Sequence, residues 1–140
     1  MSEYKKPIPK VNEMTKGHWD GCKNHELRIQ RCSCCETYCH PPQPMCAKCN
    51  STAMEWHPVE GKGTVYSYII CRNTSVGEFP ARGFTYPYAT VMIELDGVEG
   101  VRIASNLVDC ELEDIKIGMP VSVVFEKIND DITLPKFRPL

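Results

Sequence analysis

The chain has 140 residues, 42% of them apolar, which suits one ordinary domain or two very small ones with a modest core. Its longest apolar run, Tyr68–Cys71, is far short of the roughly 20 residues of a membrane span, and Met1–Pro7 lacks the apolar stretch of a signal peptide. A formal net charge of −2 argues against a phosphate-backbone binder, which carries a basic patch or balance.

Residues 1–26 read as an arm followed by a short helix. The first dozen residues hold Lys5, Lys6 and Lys10 with Pro7 and Pro9, and show no apolar periodicity. A helix is expected within Asn12–Leu27, where Met14, Trp19 and Cys22 mark an apolar stripe; Gly17 and Gly21 weaken it. Residues 27–55 read as a metal module and residues 56–140 as a β-domain with a C-terminal tail.

The module contains Cys32-x-x-Cys35 and Cys46-x-x-Cys49, separated by ten residues that include Pro41-Pro42. Two residues between thiolates let both sulfurs of a tight turn face one ion. Two such turns supply four soft ligands at tetrahedral corners, the pattern of a closed structural Zn(II) site with no position left for a catalytic water. The chain is read as cytoplasmic, where thiols stay reduced, so nine cysteines favour metal over disulfides. Paired redox dithiols are the rival, but they need a C-x-x-C opening a helix in a βαβ setting. Cys34 competes with Cys35, while Cys39 and His40 lie between the knuckles. Cys22, Cys71 and Cys110 read as small buried or half-buried hydrophobes. The histidines, His18, His25, His40 and His57, show no ligand spacing and read as surface or interface residues.

Four strands are expected at Thr64–Ile70, Tyr88–Leu95, Gly100–Leu107 and Val121–Ile128, each rich in β-branched or aromatic residues. Gly61 and Gly63 suggest a bend or bulge at the first, and Asp96-Gly97 a turn after the second. A short helix is expected over Asp109–Ile115, capped by Asp109 and stopped at Gly118. The fold class is mainly β: a helix and a ribbon, then a five-stranded OB barrel with one short helix. The irregular stretch Arg72–Pro87 joins the first two barrel strands. Its Arg72, Phe79, Arg82, Phe84 and Tyr86 suit an adenine face, a pyrophosphate or a partner protein. The alternative is a plain connection whose aromatics fold back on the barrel. No nucleophile elbow, phosphate loop or Ser/His/Asp order is present, so no catalytic residue is assigned.

The segment Leu27–Cys32, Cys35, Pro41-Pro42, Cys46 and Cys49-Asn50-Ser51 resembles the rubredoxin-like zinc ribbon of an acyl-CoA-associated family, in which an OB-fold follows. Gly63–Tyr68, Pro87-Tyr88-Ala89, Gly100-Val101-Arg102, Gly118–Val121 and Leu134–Pro139 resemble its second half. Glu36, Gln43 and Ala47 stand where that family usually has Gly, Arg and Pro. The resemblance implies one structural Zn2+ per chain and a non-catalytic subunit of a hetero-oligomer. Its partner would be a thiolase-like acyltransferase subunit that carries the catalytic residues, with acyl-CoA or CoA as ligand of the complex and neither nucleic acid nor membrane as partner. The narrowest form of that implication is degradation of an aromatic acyl-CoA, 2-benzoylsuccinyl-CoA. Two other classes compete: a nucleic-acid-binding ribbon and OB module, which the acidic balance opposes, and a stand-alone thiol enzyme.

Overall fold

Asn12 and Thr15 start the helix. Thr15 N–H donates to Asn12 Oδ1 at 2.9 Å and Asn12 N–H donates to Thr15 Oγ1 at 3.2 Å, a reciprocal cap ahead of α1, Lys16–Lys23. The helix stops well before Leu27. His25 takes a left-handed conformation at φ 57°; its N–H bonds Cys22 O, and the Glu26 N–H bonds Gly21 O. This is a Schellman ending with histidine in the place that usually holds glycine. Gly17 is required rather than disruptive, because a Cβ there would sit 2.2 Å from Trp56 Nε1.

The computed structural model describes residues 4–72 and 83–140. Strands β1 (Leu27–Cys32), β2 (Tyr38–Cys39) and β3 (Met54–Val59) form an antiparallel sheet in the order β2-β1-β3. Gln30, buried on the central strand, clamps the loop after Pro42: its Nε2 donates to Gln43 O at 2.9 Å, and Gln43 N–H returns a bond to Oε1 at 2.7 Å.

The second sheet contains β4 (Lys62–Cys71), β5 (Tyr88–Leu95), β6 (Arg102–Ser105), β7 (Pro120–Lys127) and β8 (Thr133–Pro139), ordered β6-β5-β4-β7-β8. Its ends meet where Leu107 bridges Phe137 in parallel, with Val108 N–H on Phe137 O at 2.8 Å and Phe137 N–H on Asn106 O at 3.1 Å. The result is the five-stranded OB barrel that the strand order predicted. β4 is long because it serves two neighbours, and it is bulged between Val65 and Ser67. At Gly63 a Cβ would meet Glu94 O at 2.3 Å, so only glycine lets β5 pass that close.

Val65, Val91, Ile93, Val121 and Phe137 are fully buried inside the barrel, and Leu27 and Ile29 from β1 join the same cluster. The ribbon sheet is thereby seated on the barrel, with α1 packed against β1 and β8. No helix among the described residues is long and apolar enough to cross a membrane.

Two expectations are corrected. Strand β6 is shorter than the expected Gly100–Leu107. The short helix is a single 3-10 turn, Leu112–Asp114, and Asp109 does not cap it: Asp109 is left-handed at φ 54°, and Glu111 precedes the turn without a side-chain bond. The fifth barrel strand, expected but not located in the sequence, is β8 in the stretch read as a C-terminal tail. It carries Pro135 and Pro139, whose missing N–H groups are tolerated at the margin of a sheet.

Candidate metal centre and adjoining clefts

The two knuckles are built alike. In the first, Glu36 N–H bonds Cys32 O at 2.9 Å and Cys32 N–H bonds Thr37 O at 2.9 Å. In the second, Asn50 N–H bonds Cys46 O at 2.9 Å and Cys46 N–H bonds Ser51 O at 2.8 Å. Each turn ends on a left-handed residue, Glu36 or Asn50, both at φ 63°. Asparagine tolerates that conformation and glutamate does so poorly, so position 36 is one that glycine would suit better. Glu36 remains anchored through Arg31, whose Nη2 lies 2.8 Å from its carboxylate.

The turns bring four sulfurs together. Cys32 and Cys49 Sγ lie 3.6 Å apart, Cys35 and Cys46 Sγ 3.5 Å apart, and all four fall within 4.8 Å of one another. Zn–S bonds of about 2.3 Å on a tetrahedron place sulfurs about 3.8 Å apart, so the donor set fits that ion. Cys32 and Cys46 are buried, Cys35 is half-buried and Cys49 is exposed. The surroundings lower two of the four thiols, Cys35 and Cys32, whereas Cys49 is pushed up to about 12: a Ser51 backbone bond lowers it, but the neighbouring sulfurs of Cys35, Cys32 and Cys46 together with desolvation outweigh that bond. Thr37 Oγ1 lies 3.1 Å from Cys35 Sγ, and the Thr37 side chain and backbone lower that thiol to about 6. Backbone bonds from Cys35 and Cys34 lower Cys32. Cys34 and Cys39 lie outside the set: Cys34 is exposed, and burial followed by the charge on Cys46 raises Cys39.

The remaining predicted contacts divide. Phe79 and Arg82 lie outside the described residues, and Arg72 is exposed just beyond β4. Phe84 stacks on Tyr88 with ring centroids 4.5 Å apart, and Tyr86 tilts against the same ring at 5.3 Å. The Lys6 ammonium sits 5.1 Å from the Phe84 centroid. Lys6, Phe84 and Tyr88 border a cleft of about 310 Å³ that Glu126 and Lys136 also line. Sequence reasoning singled out Phe84 and Tyr86 and missed Lys6, Tyr88 and Lys136; Tyr88 lies only four residues from Phe84 and was read as strand, while Lys6 and Lys136 lie dozens of residues away and give no local signal.

The histidine expectation needs correction too. His18 is only 9% exposed and His40 is half-buried, with ring centroids 6.2 Å apart. Burial, then the neighbouring His18, lowers His40 to about 4. Cys22 behaves as the hydrophobe expected: it is fully buried, and that burial raises its thiol to about 12.

Residues 19–55 match the family described as ChsH2, rubredoxin-like zinc ribbon domain, and residues 56–126 match ChsH2, C-terminal OB-fold domain. This chain belongs to the ChsH2 zinc-ribbon and OB-fold family. Among its relatives, a probable enoyl-CoA hydratase alpha subunit of Thermomonospora curvata is 38% identical over 96% of this chain. The chain spans only 40% of that relative's length. A DUF35 domain-containing scaffold protein of Methanocaldococcus jannaschii is 38% identical over 79% of each chain. Among solved structures, a chain of the Ltp2-ChsH2(DUF35) aldolase superposes with a TM-score of 0.83 at 36% identity, covering 94% of this chain and 98% of that one.

Proposed function

We propose that this chain is a non-catalytic, zinc-holding subunit of a heteromeric acyl-CoA enzyme. One Zn(II) is held by Cys32, Cys35, Cys46 and Cys49, which fill its coordination sphere and leave it a structural role. The observation that carries the reading is the near full-length likeness to a chain of the Ltp2-ChsH2(DUF35) aldolase. The thiols point the same way. Burial raises Cys22, Cys39 and Cys110, the reverse of what activates a nucleophile.

The partner is a thiolase-like catalytic subunit. Its cysteine attacks the β-keto carbon, the Cα–Cβ bond breaks, and the thioester carbanion takes a proton and leaves as a shorter acyl-CoA; the thiol of a second CoA then takes the acyl group and returns a proton to the cysteine. This chain lends surface that closes the CoA side of the channel and excludes water. Phe84 and Tyr86, with Tyr88 and Lys6, offer an aromatic shelf beside a cation, suited to an adenine and a phosphate. Arg72, Phe79 and Arg82 would extend that contact. An aromatic acyl-CoA such as 2-benzoylsuccinyl-CoA is the narrowest form of the substrate.

Co-expression with a thiolase-like partner should give one co-eluting complex whose turnover is lost without this chain. Separate elution with unchanged partner activity refutes the reading. A second reading, a hydratase partner, is favoured by the likeness to the Thermomonospora hydratase subunit. Parallel co-expression with a hydratase-like partner decides between the two. Steeply salt-dependent binding to single-stranded oligonucleotides would instead favour a nucleic-acid module.

A further inference from the structure

A cleft of about 360 Å³ opens where α1, the Pro41-Pro42 loop of the ribbon and the seam between β6 and β8 meet. Trp19, Pro42, Ile103 and Leu134 give it apolar walls. Its polar groups are few and unusual. His18 is 91% buried; its Nδ1 makes no well-formed hydrogen bond, although the Arg28 backbone stands close to the ring, and Nε2 has only the Cys22 sulfur, 3.8 Å away. His40 stands beside it across the cleft mouth. Lys136, 8% exposed, donates to Asn106 Oδ1 at 2.8 Å. Among the described residues no carboxylate forms an ion pair with Lys136; Glu126 on the neighbouring strand acts on it only at longer range.

A buried ammonium satisfied by one neutral amide, beside a buried imidazole with a poorly satisfied nitrogen, is costly without a ligand. The other hydroxyls on the walls are already engaged: Ser105 Oγ donates to Pro135 O at 2.9 Å and Thr15 Oγ1 is tied to Asn12. The unsatisfied capacity is therefore one cation and imidazole N–H groups, set in an apolar recess. That combination selects an anion with two acceptor oxygens on a compact apolar body.

We infer that the junction of helix, ribbon and barrel is a binding site for a small apolar carboxylate. Lys136 supplies the countercharge, His18 and His40 donate hydrogen bonds, and Trp19 and Leu134 hold the body. The site is separate from the cysteine cluster and adjoins the cleft at Phe84, with which it shares Asn106 and Lys136. It does not depend on which catalytic partner the chain has.

The test uses the full zinc-loaded chain, with benzoate as probe and neutral benzamide as its control. Histidine-ring and indole 1H–15N spectra should show saturable shifts at His18, His40 and Trp19 with benzoate. Benzamide should bind roughly tenfold more weakly or worse, because it lacks the charge. Lys136→Met should weaken benzoate by a similar factor with zinc content unchanged, and His40→Phe should weaken it less. If Lys136→Met fails to fold, the wild-type contrast between benzoate and benzamide still decides. Equal binding of the two probes overturns the inference. So do shifts that never saturate, or shifts spread over the whole surface. The cleft is instead a protein interface if a bound partner subunit reproduces the shifts without any carboxylate in solution.

Discussion

Between Leu27 and Val59 the buried apolar side chains are Leu27, Ile29, Cys32 and Cys46, and two of these are metal-site sulfurs. Between Lys62 and Pro139 they include Val65, Val91, Ile93, Leu95, Val101, Ile103, Val121 and Phe137. The barrel therefore has a core sufficient to hold its strands, whereas the ribbon has little apolar surface of its own and relies on a cross-link. Small modules commonly substitute metal for core in this way. The contrast teaches that one chain uses two currencies of order, and that each can be withdrawn separately.

The sharpest break is Cys46→Ser. Zinc binding in such modules is worth on the order of 10–16 kcal/mol coupled to folding, so bound zinc should fall to zero and hydrogen-exchange protection should vanish from β1–β3. Protection in β4 and β5 should persist; a barrel that melts together with the ribbon would show that the two are not separable. The reciprocal break is Phe137→Ala. Removing the largest fully buried side chain should cost about 3–5 kcal/mol in urea denaturation while leaving one zinc per chain.

A third test probes the contact between the regions. His40, set in the ribbon loop and lowered to about 4 by burial and by His18, is neutral in the folded protein at pH 7. An unfolded histidine titrates near 6.5, so between roughly 6.5 and 4 the unfolded chain takes up a proton that the folded chain refuses. Stability above that window is unaffected, falls as the pH drops through it, and settles below it. The loss is on the order of 2–3 kcal/mol, and His40→Gln should remove that part of the slope when both proteins are unfolded in excess zinc.

The smallest effect lies within the ribbon. Glu36→Gly relieves a left-handed glutamate but gives up an ion pair whose carboxylate side is 73% exposed and therefore weak. A gain of up to about 1 kcal/mol is expected, and Asn50→Gly should gain less because asparagine already tolerates φ 63°. Thermal midpoints of the two variants provide the check.

The parts legible in the sequence were those encoded by local spacing. The paired C-x-x-C turns, the β-branched runs and the glycines at positions 61 and 63 each act over a few residues, and the ribbon and barrel follow from them. What was hidden depends on distant partners. His25 ends α1 in a place where glycine is the usual sign, so the helix looked longer than it is. Pro135 and Pro139 disguised β8, whose pairing along β7 overrides its poor strand propensity. His18 and His40 are 22 positions apart, and only the packing of α1 beside the ribbon loop makes them neighbours. The likeness to acyl-CoA proteins came from the combination of motifs and from no single residue.

The barrel's seam has a consequence for how the molecule matures on the ribosome. All four candidate metal ligands precede residue 50, and the ribbon's last strand is complete at Val59. The barrel cannot shut until Phe137 has emerged to meet Asn106 and Leu107. Translation at about 5–20 residues per second leaves several seconds in which the nascent chain can load its metal while the barrel strands still lack their closing partner.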